Sequence, residues 1–372
     1  MNFCVSMTSV PPRFSSLEKT LNSLENQNQK PEKIFLNIPN LFNRYQESLN
    51  IFTKEFYDDL SDPLYFTHKY FLGWVDQNGN PSESSGKAFR PSIMMLINES
   101  LEGSDKNILP VAMSIELFHN FSLIHDDIED KDEFRRNRET VWKIWGEEAG
   151  IISGNSMHAL ASKALDSVET NNDYKLIELR KLVNETCIEV IEGQYLDIDF
   201  EKRKEISLDD YLEMIEKKTG ALIKTSVILG SILKDSSKDS LDAFSEIGKS
   251  FGHMFQIKDD VLGIWGDDKF GKPIGSDILK KKKSFPILKL FQSSDKIDKK
   301  NINMIFSKEQ ISENDKNKIL KMMEKYNIKS YCDSILSEKY NYTKKLIISL
   351  SIKDSYKSIL EETNYFLMHR TK

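Results

Sequence analysis

Three aspartates lie close together in the segment SLIHDDIEDKDEFRR, in which Asp126 and Asp127 are adjacent and Asp130 follows. Because an α-helix has about 3.6 residues per turn, Asp126 and Asp130 would lie on one helix face, where their negative charges repel. A divalent cation removes that repulsion, and Mg²⁺ prefers carboxylates, waters and phosphate oxygens as ligands. The spacing therefore predicts magnesium-assisted chemistry at a phosphate group, although a single cluster of this kind more often forms a solvated helix face.

A second acidic pair, Asp259 and Asp260, follows the segment FGHMFQIK about 130 residues later. Two acidic clusters that face each other could hold several Mg²⁺ ions around one diphosphate. The second pair therefore strengthens the prediction of a metal site and weakens the interpretation of the first cluster as solvated surface.

Basic residues in the sequence GKAFRP could supply a separate anion site. Gly86, Lys87 and Arg90 lie where a loop is predicted to enter a helix. Backbone N–H groups, the helix dipole and two cations would converge there on an anion. Taken alone, this segment is interpreted equally well as an ordinary basic helix start.

Further cations accompany the acidic clusters. Arg135 and Arg136 follow the first cluster by one to two turns, and Lys218 and Thr219 begin the segment KTGALIKTS. Each of these cations by itself would be read as a surface charge. Together, the acids and cations predict a site for two diphosphates, one ionised with the help of metals and one held by protein cations.

The elements that would carry these residues are helices. From about Asn50 onward, Gly and Pro are sparse within long segments of helical periodicity, and strand patterns largely disappear. Segments such as DQNGNPSESSG and GDDKFGKPIGSD predict the loops between helices. An apolar stripe precedes the first acidic cluster and consists of Met113, Leu117, Phe121 and Ile124. The patterns predict an all-α fold.

The bulk composition excludes several classes of protein. Of the 372 residues, 39% are hydrophobic and 30% are charged, and the net charge of −6 gives no reason to expect a nucleic acid partner. Neither a run of about 18 apolar residues nor a signal-peptide pattern is found, so no membrane span is predicted. Three separated cysteines predict neither disulfides nor a zinc site, and we interpret the protein as soluble and cytoplasmic.

Residues 1–48 differ from the rest and are predicted to form an N-terminal extension to a main domain at residues 49–372. An alternating run at Phe3–Met7, an amphipathic stretch at Ser15–Leu24 and a run at Lys33–Ile38 predict a short β-α-β pattern. This segment resembles the opening of a nucleotide-sugar glycosyltransferase domain, but no Asp-x-Asp motif or further sheet follows it. We therefore interpret it as a packing or leader segment.

The chain resembles the trans-isoprenyl (polyprenyl) diphosphate synthase family, short-chain type, in a series of motifs that occur in the family's order. They are GKAFRP, HNFSLIHDDIEDKDEFRRNRETVWKIWG, EGQYLDIDF, KKTGAL, FGHMFQIKDDVLGIWGD and GKPIGSDILKKKKSFPI, and the likeness runs from about residue 50 to the terminal FLMHR. The resemblance implies a large antiparallel helical bundle around a central cavity (the isoprenoid synthase type), which forms a homodimer. It also implies a magnesium-dependent prenyltransferase that condenses isopentenyl diphosphate with dimethylallyl, geranyl or farnesyl diphosphate.

The resemblance further implies a role for each residue that matches a family motif. Isopentenyl diphosphate would be held at the Gly86 loop by Lys87, Arg90, His119 and Arg136. The allylic diphosphate would contact Arg135, Lys218, Gln256 and Lys272, and its cation would be stabilised by Thr219 and Gln256. Three Mg²⁺ ions would bind with Asp126, Asp130 and Asp259 as direct ligands and with Asp127 and Asp260 as supporting carboxylates.

Product length would be set by the floor beneath the first acidic cluster. Phe118 and Ser122 lie two turns and one turn before Asp126 on its helix face. The family resemblance adds Phe121, five residues before the motif. An aromatic residue there beside the small Ser122 resembles the pattern that ends at geranylgeranyl diphosphate (C20), with farnesyl diphosphate as the alternative. Ordinary core packing is the other interpretation of these phenylalanines.

Gly263 departs from the family pattern, because a third aspartate is common at this place in the second acidic motif. The departure faintly favours a terpene cyclase on the same fold, which ionises an allylic diphosphate but needs no isopentenyl site. Retention of the isopentenyl residues argues against that alternative: they are Lys87, Arg90, His119 and Arg136. A non-catalytic regulatory subunit is a further alternative, and the retained aspartates argue against it.

Overall fold

The computed structural model describes residues 4–7, 33–36, 40–103, 105–169, 172–203, 205–234, 238–266 and 274–370. Near the N-terminus, strands β1 (Cys4–Met7) and β2 (Lys33–Leu36) pair in parallel, with Cys4 opposite Lys33. Both strands lie within the runs where sequence alternation predicts them. The helix predicted at Ser15–Leu24 lies outside the described residues.

Helices dominate the rest of the described chain, and the all-α prediction is confirmed. The N-terminal helices are α1 (Asn40–Asp58), α2 (Leu64–Phe71), α3 (Phe89–Ser100) and α4 (Asp105–Glu129). A hairpin of β3 (Phe134–Arg135) and β4 (Arg138–Glu139) is followed by α5 (Val141–Trp145), α6 (Glu147–Ala164), a 3₁₀ turn (Leu165–Ser167) and α7 (Asp173–Lys202).

The C-terminal part continues with α8 (Leu208–Ile215), a π-helical turn (Glu216–Gly220) and α9 (Ala221–Ile232). The remaining helices are α10 (Lys238–Trp265), α11 (Ser276–Leu279), α12 (Phe285–Ser293), α13 (Lys296–Phe306), α14 (Glu313–Lys325), α15 (Ile328–Ser349) and α16 (Asp354–His369).

The chain divides into two compact units. One contains residues 40–187 and 225–241 and is called the Asp126 unit. The other contains residues 1–39, 188–224 and 242–372 and is called the Asp259 unit. Each unit therefore holds one of the two acidic pairs. The domain boundary predicted after residue 48 stays a prediction.

In the Asp126 unit, helix α4 carries the first acidic cluster and is buried over most of its surface. The predicted stripe of Met113, Leu117, Phe121 and Ile124 is at most 6% exposed, and each such side chain contributes about 2 kcal/mol by burial. Helix α4 packs against α3 and α6. Its segment Lys106–Glu129 is long and apolar enough to cross a membrane, but 67% of the apolar window is buried, as expected for a core helix.

The β3–β4 hairpin turns through Arg136 and Asn137, whose φ angles are 52° and 60°. Two positive φ angles in a two-residue loop between the paired residues Arg135 and Arg138 define a type I′ turn. Asn adopts this conformation readily, whereas an arginine does so at a cost of about 1 kcal/mol. The turn gathers three arginines within four residues.

In the Asp259 unit, α8 continues into the π turn, which carries Lys218 and Thr219. A Cβ atom at Gly193 of α7 would lie 2.2 Å from the backbone N of Lys218, and one at Gly252 of α10 would lie 2.6 Å from Cα of Gly220. These distances leave no room for a side chain at either glycine. Helices α7 and α10 therefore contact the π turn backbone to backbone, which fixes Lys218 and Thr219 in place.

Candidate active site

The aspartates at the end of α4 differ in exposure. The side chain of Asp126 is 18% exposed, whereas that of Asp127 is 1% exposed. Arg135 donates from Nε to Asp127 Oδ1 at 2.6 Å, and its Nη2 lies 3.4 Å from Asp126 Oδ2. Asp130 is exposed, and its N–H donates to the carbonyl of Asp126 at 2.8 Å. Asp126 and Asp130 therefore lie one helical turn apart, as their spacing predicts.

The environment of these aspartates fits a magnesium ion. Burial raises the pKa of Asp127 to about 6, although Arg135 opposes the rise, and Asp127 Oδ2 is buried without a hydrogen-bond partner. Within the part of the chain that the structure describes, no three His, Cys, Asp or Glu side chains are grouped as a metal site. Mg²⁺ needs only one or two carboxylates where waters and phosphates complete its shell. Asp126 and Asp130 could therefore hold it jointly with a phosphorylated ligand.

Arg90 of α3 and His119 of α4 form a pair, with 3.0 Å between Nη1 and Nε2. Because arginine has only donors, Nε2 of His119 accepts, so the ring is neutral and carries its proton on Nδ1. Burial and the nearby arginines lower the pKa of His119 well below its usual value. Burial also lowers the pKa of Arg90 to about 10, and Glu116 opposes that shift. The pair can offer N–H donors to an anion while the imidazole stays neutral.

Gly86 lies directly against the hairpin, since a Cβ atom there would be 2.7 Å from Nη2 of Arg136. Lys87 follows as an exposed residue, and its carbonyl accepts a hydrogen bond from Nε2 of Gln46 on α1. The Asp126 unit therefore contains the whole set of predicted isopentenyl residues, with Arg136 against Gly86 and Arg90 against His119. The set is Gly86, Lys87, Arg90, His119 and Arg136.

A small cleft of about 20 Å³ lies beside the hairpin and is lined by Arg135, Arg136 and Arg138 together with aromatic residues of α2. The guanidinium of Arg136 lies 5.8 Å from the ring centre of Phe71. Burial lowers the pKa of Arg136, and Glu116 opposes the shift. Three arginines along one cleft raise the local concentration of anions.

Phe118 and Phe121 form an aromatic cluster with His158 of α6. The ring centre of Phe121 is 4.9 Å from that of Phe118 and 4.9 Å from that of His158. Nε2 of His158 lies 3.3 Å from Sγ of Cys187, and burial lowers the pKa of His158. Ser122 donates from Oγ to a backbone carbonyl one turn earlier at 2.8 Å. The predicted chain-length residues therefore lie close together one to two turns before Asp126, with both phenylalanines buried.

Asp260 in the Asp259 unit is 6% exposed and accepts hydrogen bonds from neutral groups. Oδ2 accepts from the hydroxyl of Tyr211 and, at 2.8 Å, from the N–H of Phe285, and Oδ1 accepts from Nε2 of Gln256 at 3.1 Å. Burial nevertheless raises the pKa of Asp260 to about 7 and raises that of Tyr211 well above its usual value. Asp260 is therefore a buried anchor of α10.

Asp259 is the more accessible member of this pair, with 39% of its side chain exposed. Nη2 of Arg370 lies 3.3 Å from Asp259 Oδ1 and donates to the carbonyl of Phe255 at 2.8 Å. Arg370 follows α16, is 7% exposed, and lies 4.2 Å from the ring centre of Phe255. An arginine near the C-terminus therefore contacts the predicted metal ligand.

Thr219 and Gln256 are linked, because Oγ1 of Thr219 donates to Oε1 of Gln256 at 2.9 Å. Nζ of Lys218 donates to Oδ2 of Asp197 on α7 at 2.6 Å. The Asp259 unit therefore contains a second group of predicted site residues, which are Lys218, Thr219, Gln256, Asp259 and Asp260. Lys272 lies outside the described residues, and its role stays a prediction.

The space beside Gly263 is filled by the side chain of Asp277. A Cβ atom at this position would lie 2.2 Å from Oδ2 of Asp277 on α11, and Oγ of Ser276 donates to the carbonyl of Gly263 at 3.1 Å. An aspartate at 263 would therefore require the carboxylate of Asp277 to move. The carboxylate of Asp277 occupies the space into which a side chain at 263 would extend.

Three contacts of the site were not predicted from the sequence. Tyr211 and Asp260 are separated by 49 residues, and Arg370 and Asp259 by 111 residues. His158 contacts Phe121 from a different helix. The spacing of residues along the chain does not indicate such contacts. The terminal motif FLMHR, which ends in Arg370, is the one sequence feature that points to a contacting residue.

The fold is that of the isoprenoid synthases. The solved geranylgeranyl pyrophosphate synthetase of Pyrococcus horikoshii superposes with a TM-score of 0.79 at 30% identity, covering 89% of this chain and 98% of that one. The sequence profile described as polyprenyl synthetase matches residues 75–323, which include both aspartate pairs. The chain belongs to the polyprenyl synthetase family, and the family predicted from the motifs is confirmed.

Two curated relatives show the extent of the likeness. The (2E,6E)-farnesyl diphosphate synthase of Mycobacterium bovis is 39% identical over 220 residues, which are 59% of this chain and 60% of the relative. The short chain isoprenyl diphosphate synthase of Methanocaldococcus jannaschii is 35% identical over 258 residues, which are 69% of this chain and 75% of the relative. The chain thus spans about 60% of the length of the farnesyl diphosphate synthase that it matches.

Proposed function

We propose that this protein is a trans-prenyltransferase that condenses isopentenyl diphosphate with an allylic diphosphate. The observation that carries the proposal is the make-up of the Asp126 unit, where an acidic cluster fit for magnesium accompanies a separate group of cations at Gly86, Arg90 and Arg136. A reaction of two diphosphates needs both groups, whereas a terpene cyclase needs only the first. The names of the two curated relatives support this choice.

Isopentenyl diphosphate would be bound by the cations of the Asp126 unit. Arg90 and Arg136 would donate to its phosphate oxygens, and Lys87 would add a flexible charge. His119 would contribute Nδ1–H as a neutral donor, because Arg90 occupies Nε2. A neutral histidine avoids adding a further positive charge beside the arginines.

Magnesium is the proposed cofactor, with three ions bound alongside the allylic substrate and with Asp126, Asp130 and Asp259 as ligands. Bound magnesium would supply positive charge that stabilises the departing diphosphate. Asp127 and Asp260 would hold the accessible aspartates in position through the contacts that bury them.

The remaining residues of the site act on the two organic groups. Arg135 and Lys218 would donate to the departing diphosphate as its C–O bond breaks. Thr219 and Gln256, linked at 2.9 Å, would direct their oxygens to the allylic cation. The double bond of isopentenyl diphosphate then attacks C1 of that cation, and a proton leaves to the released diphosphate, so charge and atoms balance.

A direct product assay tests this proposal. Purified protein, Mg²⁺, isopentenyl diphosphate and each of three allylic primers are incubated, and the dephosphorylated products are sized by chromatography. Elongated alcohols would support the synthase, whereas hydrocarbon released from a prenyl diphosphate alone would indicate a cyclase. With Lys87→Gln, we expect weaker use of isopentenyl diphosphate at unchanged use of the primer.

Geranylgeranyl diphosphate (C20) is the proposed main product, because Phe118 and Phe121 lie one to two turns before Asp126 and their rings cluster with that of His158 on α6. Farnesyl diphosphate is the second candidate, and the name of the Mycobacterium bovis relative favours it. Phe121→Ala should lengthen the product by at least one five-carbon unit. An unchanged product would mean that the floor lies elsewhere.

We also propose a cytoplasmic homodimer. Helix α7 carries exposed large apolar residues, between 55% and 84% exposed, which are Tyr174, Ile177, Ile188, Ile191 and Tyr195. An apolar stripe of this kind on a surface helix is typical of an interface. Light scattering of the wild type and of Ile188→Lys would test it, with a monomer expected only for the variant.

A further inference from the structure

Arg138 begins strand β4 and lines the arginine cleft, but no contact with a substrate has been assigned to it. Nη1 donates to Oγ of Ser84 at 2.5 Å, and Nη2 donates to the carbonyl of Val75 at 2.6 Å. The guanidinium also lies 3.9 Å from the ring centre of Tyr70 on α2. One planar group therefore makes three contacts, two of them charge-assisted hydrogen bonds.

Val75 and Ser84 belong to the two limbs of a loop at residues 73–86, which we call the strap. Its limbs are joined by backbone hydrogen bonds from Ser82 N to Trp74 O at 2.9 Å and from Ser84 N to Gly73 O at 3.2 Å. Gly73 has a φ of 82°, and a Cβ atom there would lie 2.5 Å from the backbone of Ser84. Arg138 thus ties both limbs of a tightly closed loop to the hairpin.

The strap ends at Gly86, and Lys87 is the next residue. Arg136 of the same hairpin packs its guanidinium against Gly86. The hairpin therefore contacts the strap at two places, through Arg138 at the closed limbs and through Arg136 at the end. Because Lys87 is exposed, the direction in which the chain leaves the strap decides where its ammonium lies relative to Arg136.

We propose that Arg138 is a positioning residue for the isopentenyl diphosphate site, which it serves by fixing the strap so that Gly86 stays against Arg136 and the next residue, Lys87, keeps its position. The kinetic part of this inference rests on the proposed function, whereas the contact between Arg138 and the strap does not. A shift of about 1 Å in a group that holds a substrate can lower its use by as much as about 100-fold.

Arginine and lysine separate positioning from simple attraction of the substrate. A lysine at 138 keeps the positive charge but lacks the planar fork that reaches Ser84 and Val75 together. Positioning therefore predicts that Arg138→Lys resembles Arg138→Gln. A purely electrostatic role predicts that Arg138→Lys resembles the wild type.

The kinetic experiment compares full-length Arg138→Gln, Arg138→Lys and Ser84→Ala with Arg180→Gln, whose arginine pairs with Asp166 on the surface of the same unit. For both Arg138 variants we expect KM for isopentenyl diphosphate to rise about 10-fold, while kcat and KM for the primer change by less than about 3-fold. Ser84→Ala should have a smaller effect that disappears in the Arg138→Gln background. Wild-type kinetics in Arg138→Gln or Arg138→Lys would overturn the proposal.

Hydrogen exchange of the whole protein supplies a readout that needs no activity. In Arg138→Gln, and less in Ser84→Ala, the amides of Ser82 and Ser84 should exchange about 10-fold faster, while amides of α3 and α4 keep their protection. Unchanged exchange in the strap would overturn the proposal. If the wild type had no prenyltransferase activity, the proposed function would fail, and the exchange result would still decide whether Arg138 holds the strap.

Discussion

Each of the two aspartate pairs has one accessible and one buried member, but the buried carboxylates are hydrogen-bonded by different kinds of group. In each pair the first carboxylate is accessible, with 18% of Asp126 and 39% of Asp259 exposed, and the second is buried. Asp127 is held by the cation of Arg135, whereas Asp260 is held by the neutral donors of Tyr211, Gln256 and a backbone N–H. The same dipeptide therefore lies in an ionic environment in one unit and in a neutral one in the other.

The difference has an energetic consequence. Removing one partner of a buried ion pair leaves an uncompensated charge and costs about 3 to 5 kcal/mol. Removing one of several neutral hydrogen bonds costs about 1 kcal/mol, because the remaining donors still satisfy the carboxylate. The buried carboxylate of Asp127 thus depends on the single side chain of Arg135, whereas that of Asp260 is held by three separate donors.

The largest expected effect tests what the pairs share. Asp126→Asn and Asp259→Asn should each lower the single-turnover rate by about 10³-fold, because each removes a charged ligand from the proposed metal site. Both residues are accessible, so the thermal unfolding transitions should stay close to that of the wild type. A rate loss in only one of the two variants would break the parallel between the pairs.

The second effect tests what the pairs do not share. Arg135→Gln should lower the free energy of unfolding by about 3 kcal/mol near neutral pH, since Asp127 loses its counterion. Tyr211→Phe, with its smaller loss of about 1 kcal/mol, is the matched change in the other unit. Urea denaturation measures both values. Equal losses would show that charge does not distinguish the two environments.

The smallest effect concerns pH, since the two units bury titratable groups with opposite shifts. Burial lowers the pKa of His68 in the Asp126 unit to about 4 and raises that of Glu362 in the Asp259 unit to about 8. Because its pKa is lowered, His68 is unprotonated in the folded protein at pH values where it is protonated in the unfolded chain. Its contribution to stability is therefore lost as pH falls from about 6.5 to about 4. Because its pKa is raised, Glu362 stays protonated in the folded protein at pH values where it is ionised in the unfolded chain. Its contribution to stability is therefore lost as pH rises from about 4.5 to about 8.

Two variants separate these trends. Relative to the wild type, Glu362→Gln should gain about 2 kcal/mol of unfolding free energy between about pH 5 and about pH 8, because its amide does not ionise. For His68→Gln, the loss of unfolding free energy relative to the wild type should instead grow as pH rises from about 5 to about 6.5. Denaturation at several pH values measures both differences, and parallel curves for wild type and Glu362→Gln would rule out the role of Glu362.

The sequence predicted those parts of the site that depend on local spacing. Asp126 and Asp130 lie one turn apart, and the apolar stripe through Phe121 is buried, because a helix fixes both relations within a few residues. Arg135 was predicted as a cation of the site. Its direct contact with Asp127 was not, because that contact requires the chain to reverse through the left-handed residues Arg136 and Asn137.

Contacts between segments that are distant along the chain could not be predicted from the sequence. Nothing near Asp260 indicates that Tyr211 and the N–H of Phe285 complete its hydrogen bonds, since they come from other helices. The sequence shows Gly263 only as a missing acid, whereas the structure places the carboxylate of Asp277 where a side chain at 263 would extend. Such relations arise from packing, for which a single sequence carries no periodic signal.

The π turn at Glu216–Gly220 limits how this protein can evolve. A π turn contains one residue more than an α-helical turn, so deleting one residue would restore a regular helix and rotate the following segment by about 100°. Gly193 and Gly252 leave no space for the side chains that such a rotation would bring in. We therefore expect insertions and deletions in the segment KKTGAL to be removed by selection.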